Sequence, residues 1–466
     1  MTLGTPPAPP ERARRERSAL ARDGIMRVVG LPQVARRVRK LAARAAYVLW
    51  AQGLYWLAVL WRRALRRTTF VAVTGTHAKT TTKEMLATML ASRQSTFRTT
   101  GNQNTGLALT LNVLRVRPWH RFAVIEIGVG APGEMRRLGR LVRPDVAVIL
   151  TVLHNHLKAF GDQRTHAREK AALLEALRPG GVAVLNADDP LVAAMAEGVR
   201  GTVVRTGTSP AFDVWAEGAT SCWPARLEFD VRTREGESCH VRTRLVGTHW
   251  CVSATAALAA ARSAGVPLHA AAAALGTMEP FVARMQPILL PSGAVMLRDD
   301  YDGSFDAFQA AVRALSDARA ARRIAVVSDA SDYGTTPRGK RVARLGRAVA
   351  GAAELVVFVG GAAAHGRRGA LAAGVAPGNA HGFEHLPEAA GFLRRTLRPG
   401  DLVLLKGRDS DHLARLFLAQ LGEVSCWKRE CGKRTICDDC PEAGVAPGDR
   451  ASAQPAPITW TAGGDP

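Results

Sequence analysis

Residues 69–82 read TFVAVT and then GTHAKTTT, that is Thr69 to Thr74 followed by Gly75, Thr76, His77, Ala78, Lys79, Thr80, Thr81 and Thr82. The first six form a continuous apolar run, the pattern of a strand buried on both faces, and Lys83 to Ala91 continue with helical character. Strand, tight turn, lysine, hydroxyls and helix in that order make a phosphate cradle. Backbone N–H groups converge at a helix N-terminus, a lysine meets the β- and γ-phosphates, and a hydroxyl holds Mg²⁺. Lys79 and Thr80 stand where the last two roles need them. The generic loop is G-x-x-x-x-G-K-[ST]. Ala78 replaces its second glycine and its first is absent, so an ordinary strand-to-helix turn with a surface lysine stays open on this stretch alone. If position 78 needs a positive φ, its methyl group costs about 1 kcal/mol.

Working outward, Gly101-Asn102-Gln103-Asn104-Thr105-Gly106 is a turn-rich run before a helical pattern, and Phe122 to Ile127 is a second buried strand with Glu126 near its carboxyl end. Open parallel sheets bind ligands at the carboxyl ends of their strands, so Glu126 and the Lys79 turn face one crevice. A strand glutamate paired to an arginine is the plainer alternative. A third strand, Val146 to Val152, leads to His156, and Lys170 follows fourteen residues later on a helix expected over Thr165 to Leu177. Strand Val182 to Leu185 ends in Asn186-Ala187-Asp188-Asp189-Pro190, and residues 211–246 alternate in short strands such as Ala225 to Val231 and His240 to Leu245. From Arg284 the pattern restarts, with strands Ala294 to Arg298, Ile324 to Ser328, Leu355 to Val359 and Asp401 to Leu405 around helices Phe305 to Leu315 and Val342 to Ala350. The fold class is α/β. A central P-loop-type parallel-sheet ATPase domain with a small β insertion (68–283) precedes a second, Rossmann-like α/β domain (284–424), flanked by a basic N-terminal segment (1–67) and a cysteine-bearing tail (425–466).

Gly75 to Lys83, GTHAKTTTK, resembles the G-T-N-G-K-T-T-x-K signature of the muramyl (Mur) ligase family, the ATP-dependent amino-acid ligases of cell-wall synthesis. His156, Leu157, Phe160 and Gly161 resemble the H-L-x-x-F-G stretch of its MurF-type branch, which adds D-alanyl-D-alanine. Asn186 to Asp189 match the family's N-A-D-D. Gly247-Thr248-His249 match its G-x-H, with Ser253 where the family carries an asparagine to the adenine. Arg284, Asp300-Tyr301 and Lys406-Gly407-Arg408 resemble its C-terminal arginine, D-x-Y or D-Y and K-G-x-R elements. The resemblance covers residues 68–424 in order; the family's N-terminal UDP-sugar-binding domain has no counterpart in the segment ahead of the loop.

What this implies is a ligase that passes the γ-phosphoryl of ATP to a carboxylate, forming an acyl phosphate that an amine converts to an amide. The catalytic set is Lys79, Glu126, His156 and Lys170, with Lys170 carbamylated. ATP lies on Gly75 to Thr81, Asn186, Arg284 and Asp300, substrate on Asn104, Lys406 and Arg408, and Mg²⁺ on Thr80, Glu126, His156 and Lys170. The partners are a carboxylate acceptor and an amino acid or peptide supplying the amine, in cell-wall or envelope polymer synthesis. A capsule-type synthetase resembling the poly-γ-glutamate enzymes, or a non-catalytic Mur-ligase-like regulatory protein, are the alternatives.

Of 466 residues, 47% are apolar and 22% charged, enough for two or three ordinary cores and incompatible with disorder throughout. The net charge of +23 is concentrated: residues 1–67 hold 15 Lys/Arg against 3 Asp/Glu, leaving only +11 for the rest. A nucleic-acid groove is therefore not expected. No export signal is visible, so the expected location is cytoplasmic, peripheral on the inner face of the membrane. Ala45 to Trp61 is apolar but for Gln52 and lies between basic clusters, short of the about 20 residues that span a bilayer. An interfacial helix over residues 36–67, meeting anionic lipid, and a helix packed on protein are the two readings. Cys426, Cys431, Cys437 and Cys440 suit a tetrahedral structural Zn²⁺ in a reducing compartment, with an iron–sulfur cluster or plain thiols as alternatives. The Pro/Ala/Gly-rich end after Cys440 is expected to be disordered.

Overall fold

In the computed structural model, which describes residues 31–101, 103–153, 160–331, 336–432, 436–446, 449 and 453–458, β1 (Thr69–Thr74) forms where TFVAVT predicts it. It lies inside a nine-stranded sheet with β2 (Thr96–Arg98), β3 (Phe122–Glu126), β4 (Val146–Ile149), β5 (Val182–Asn186), β6 (Thr202–Gly207), β7 (Val214–Thr220), β8 (Glu228–Thr233) and β9 (Ser238–Arg242). The order is β2-β3-β1-β4-β5-β6-β7-β8-β9, parallel from β2 to β7 and antiparallel thereafter. The chain leaves β1 towards β2 and β3 and returns on its other side with β4. That reversal makes the carboxyl edge beside β1 the place where a crevice opens.

The short strands of residues 211–246 continue this sheet, because Thr206 and Gly207 of β6 pair with Val214 and Trp215 of β7. The helix after β1 spans Lys79–Ala91, starting four residues before the apolar pattern suggests, since Lys79 to Thr82 are its first turn. Its Met85, Leu86, Met89 and Leu90 are fully buried, and each such side chain contributes roughly 1.5–3 kcal/mol. Over them lies Trp250–Ser263, a helix whose run of alanines lets it approach the sheet closely. The helix expected over Thr165–Leu177 ends at Ala171 and gives way to a 3₁₀ turn, Leu174–Ala176.

The second sheet comprises β10 (Gln286–Leu289), β11 (Val295–Asp299), β12 (Arg322–Val327), β13 (Leu355–Val359), β14 (Ala380–Phe383), β15 (Asp401–Lys406) and β16 (Gln454–Pro455), ordered β14-β13-β12-β15-β11-β10-β16. Its five central and edge strands from β14 to β11 are parallel, as a Rossmann-like domain requires. Among the described residues after Cys440, the expectation of disorder does not hold for Gln454 to Ala456: β16 pairs antiparallel with β10, and Ala456 is buried. An edge strand with free N–H and C=O groups supplies the reason.

By contact density the chain divides into residues 1–58 and 59–466. The described part of the first is helical, within the helix Leu31–Ala64. No described helix is long and apolar enough to cross a membrane.

Candidate active site

Gly75 has φ +157, and a Cβ there would stand 2.9 Å from Leu150 Cβ, so the turn after β1 needs a glycine. Thr76 N donates to Thr151 O at 2.7 Å, and Thr76 Oγ1 accepts from Leu153 N at 3.0 Å, which ties the turn to the end of β4. Ala78 caps the following helix at φ +62, ψ 0, the left-handed conformation a glycine would adopt freely. Lys79 folds back over the turn, its Nζ donating to Gly75 O (2.9 Å) and Thr76 O (3.0 Å). Loss of solvation lowers its pKa, and the charges of Glu126 and Asp302 oppose that fall.

Glu126 ends β3 and is buried. Its Oε1 accepts from Asn104 Nδ2 at 2.7 Å, while its buried Oε2 has no hydrogen bond among the described residues and lies 4.0 Å from Lys83 Nζ. Lys83, also buried, donates to Thr99 O (2.8 Å) and Gly101 O (2.9 Å), holding the turn that presents Asn104. Thr81, at the start of the same helix, has a buried hydroxyl without a hydrogen-bond partner among the described residues. Lys170 comes from the helix Gln163–Ala171, capped by Asp162, whose carboxylate accepts from Thr165 N at 2.7 Å. Its buried Nζ donates to Gly75 O at 3.0 Å. Burial, and after it the nearby Lys79 charge, holds the Lys170 pKa well below the usual lysine value.

A cavity of about 520 Å³ opens beside this turn, lined by His77, Asn186, Ser253 and Trp250 from the first sheet's side and by Arg284, Asp299, Asp302 and Asp306 from the second domain. Arg284 Nη1 donates to Asp302 Oδ2 at 2.9 Å, and its guanidinium lies 4.9 Å from the Tyr301 ring centre. His77 stands 3.4 Å from the Asp302 carboxylate and 3.6 Å from that of Asp306. Burial alone would lower the His77 pKa, but the neighbouring Asp302 and Asp306 carboxylates outweigh it and raise the pKa. Burial works against the Asp302 charge too, yet Arg284 and His77 hold that carboxyl well below the usual range. His249, on the cavity wall, is pushed down to about 3 by loss of solvation and the Lys406 charge, and so carries a neutral ring.

Most of the expected residues meet here. Gly75 to Thr81, Asn104, Glu126, Lys170, Asn186 and Arg284 converge at the carboxyl edge of the first sheet. Lys406 is adjacent but engaged, donating to Asp299 Oδ2 and Asp302 O, each at 2.6 Å. Asp300 and Arg408 point elsewhere. Asp300 is taken by Arg298 in a two-pronged ion pair (3.2 and 3.0 Å), and Asp302 faces the cavity in its stead. Arg408 pairs with Asp411 at 2.6 Å and lines a separate cavity with Ser328 and Arg338. His156 lies outside the described residues. Sequence reading gave no role to Lys83 or Asp302. Lys83 was legible as the residue one helical turn beyond Lys79, on the same face, whereas Asp302 had only its place between a strand end and the helix cap Ser304.

The cysteine tail does not supply a metal site among the described residues, where no three His, Cys, Asp or Glu side chains are grouped to hold an ion. Cys426 and Cys440 are buried in packing, and Cys437 Sγ instead meets His412 Nδ1 at 3.6 Å. The expected zinc therefore has no grouped ligand set there. Asp438 helps to fasten the tail, bonded to the buried Arg298 alongside Asp300.

Comparison with known proteins agrees with this geometry. Residues 73–261 match the Mur ligase middle domain and residues 283–408 the Mur ligase glutamate ligase domain. A UDP-N-acetylmuramoyl-tripeptide--D-alanyl-D-alanine ligase of Mycobacterium bovis is 30% identical over 378 residues, 77% of this chain and 74% of that protein. The Escherichia coli protein of the same name is 32% identical over 266 residues, 57% of this chain and 58% of its own. Among solved structures, a MurF from Acinetobacter baumannii superposes with a TM-score of 0.72 at 27% identity, over 79% of each chain. The chain belongs to the Mur ligase family, the ATP-dependent ligases that form amide bonds in peptidoglycan synthesis.

Proposed function

We propose that this ligase works in the cytoplasm and joins the amine of D-alanyl-D-alanine to the terminal carboxylate of a UDP-linked muramoyl tripeptide, driven by ATP. The support for the substrates is the name shared by the relatives, and the support for the chemistry is a single observation. The Lys79 turn, Glu126, Lys170 and the second domain's Arg284 and Asp302 gather at one crevice.

The acceptor carboxylate attacks the γ-phosphorus while the bond to ADP breaks. The amine then attacks the acyl carbon, releasing phosphate and a proton. Lys79 would turn from the Gly75 and Thr76 carbonyls to the β- and γ-phosphates, and Arg284, held by Asp302, would orient the reacting groups. Positioning and charge neutralisation carry most of such a reaction. Glu126 Oε2, buried without a hydrogen bond among the described residues, fits a hard cation, as does the unpartnered Thr81 hydroxyl. Mg²⁺ bound by Thr80, Glu126, His156 and a carbamylated Lys170 would neutralise the transferring phosphoryl group. Burial lowers the Lys170 pKa and so favours the neutral amine, the form that adds CO₂ to give a carbamate and a proton.

The test is ADP release by the full chain given ATP, Mg²⁺, UDP-N-acetylmuramoyl-tripeptide and D-alanyl-D-alanine. Turnover dependent on both substrates, falling at least about 100-fold in Lys79→Ala, is expected. Turnover unaffected by omitting the dipeptide overturns the substrate assignment, and a fully active Lys79→Ala overturns the role of the turn.

A further inference from the structure

The helix Leu31–Ala64 exposes large apolar side chains that the ligase chemistry does not use. Leu49 is 74% exposed, Trp50 53%, Trp56 57%, Leu57 54% and Leu60 61%. At 3.6 residues per turn, Leu49, Trp56 and Leu60 form one stripe and Trp50 and Leu57 the next, together a face roughly 120° wide, while the exposed Leu41, Tyr47 and Val48 lie outside it. From residue 36 to residue 67 the sequence has nine Arg/Lys and no Asp/Glu. Arg39, Lys40 and Arg44 are exposed before the stripe, and Arg63, Arg66 and Arg67 after it. At the helix's far end Trp61 Nε1 donates to Val116 O (2.8 Å) and Arg62 to Val142 O (2.6 Å) and Arg143 O (2.7 Å), rooting that end beside the catalytic sheet.

We infer that this helix lies on an anionic lipid surface, its Leu49, Trp50, Trp56, Leu57 and Leu60 face entering the headgroup boundary and its basic ends meeting acidic headgroups. Charge selects the occupant. A second copy would set one acid-free basic segment against another, whereas an anionic bilayer complements it along its whole length. Length argues against a span, because the apolar run Ala45 to Trp61 rises only about 24 Å and a hydrocarbon core is about 30 Å thick. Tryptophan at the interface suits a ring with an apolar body and a polar N–H. The inference is independent of which substrates the ligase uses.

The experiment is co-sedimentation of the full chain with vesicles of phosphatidylcholine alone or mixed with phosphatidylglycerol, read alongside light scattering. Binding to the mixed vesicles only, weakened by salt, is expected. It should fall at least tenfold both in Trp50→Ser/Trp56→Ser/Leu57→Ser and in Arg63→Glu/Arg66→Glu/Arg67→Glu, with folding intact by circular dichroism. Absence of binding overturns the inference, as does equal binding to neutral vesicles. Loss in the charge variant alone means adsorption without insertion and overturns it too, and so does self-association without lipid binding that the apolar variant abolishes.

Discussion

Ala78 and Lys170 show how single side chains set the properties of this crevice. At φ +62 a methyl group crowds the backbone, and the glycine of the related signature would not. Ala78→Gly is expected to stabilise the fold by about 1 kcal/mol, the steric relief exceeding the added chain entropy. Urea unfolding measures it, and a loss of stability would mean that the strain lies elsewhere. Lys170 poses a question of covalent state. An ammonium cannot coordinate a cation, but the neutral amine that burial favours can become an anionic carbamate. Isotope-labelled bicarbonate should therefore give a carbamate resonance in the wild type that is missing from Lys170→Ala. Identical spectra for the two proteins would leave Lys170 as a donor to Gly75 O and nothing more.

Two elements that meet over the cavity respond to pH in opposite directions. The turn after β1 carries His77 against Asp302 and Asp306, and the start of the helix Trp250–Ser263 carries His249 near Lys406. For His77 the folded pKa lies above 6.5, so its contribution is complete below 6.5 and is lost as pH rises through the raised value. For His249 the folded pKa is about 3 against 6.5 unfolded, so the unfolded chain gains a proton first and stability falls as pH drops from 6.5 towards 3. Unfolding free energy measured against pH should flatten on the alkaline side in His77→Gln and on the acid side in His249→Gln. Curves parallel to the wild type would remove the assignment. How legible these elements are in the sequence follows from the same physics. TFVAVT and FAVIE are strands buried on both faces and announce themselves by continuous apolar character, and the parallel-sheet rule then brings Glu126 to the Lys79 turn. Asp300 and Asp302 differ by two positions in a loop, and only tertiary contact decides that Arg298 claims the first while Arg284 and His77 claim the second. Short strands such as β2, β10 and β14 have three or four residues, too few to carry a periodicity.

At the scale of the whole molecule, the tail beyond residue 424 straps both α/β domains, which cysteine spacing alone does not foretell. On the first domain's side, the fully buried Arg226 donates through Nη2 to Ala456 O (3.1 Å) and Pro457 O (2.9 Å), while its Nε and Nη1 have no hydrogen bond among the described residues. In the second domain, β16 covers the free edge of β10, Asp438 shares Arg298 with Asp300, and Arg415 donates to Lys428 O. Without the tail, Arg226 keeps the Trp223 ring but loses the two carbonyls it donates to, Arg415 loses a carbonyl, and the apolar cluster of Leu416, Phe417 and Leu418 loses the cover of Ala443 and Val445. A buried donor left unsatisfied costs about 1–3 kcal/mol, more when charged. A chain ending at Val424 should therefore be less stable by at least about 3 kcal/mol. Asp438→Ala should cost less, because Asp300 still neutralises Arg298. The urea midpoints of the two variants and the wild type decide the matter. If truncation moved the midpoint no further than Asp438→Ala does, the Arg226 and β16 contacts would carry no weight, and the two domains would hold together without the strap.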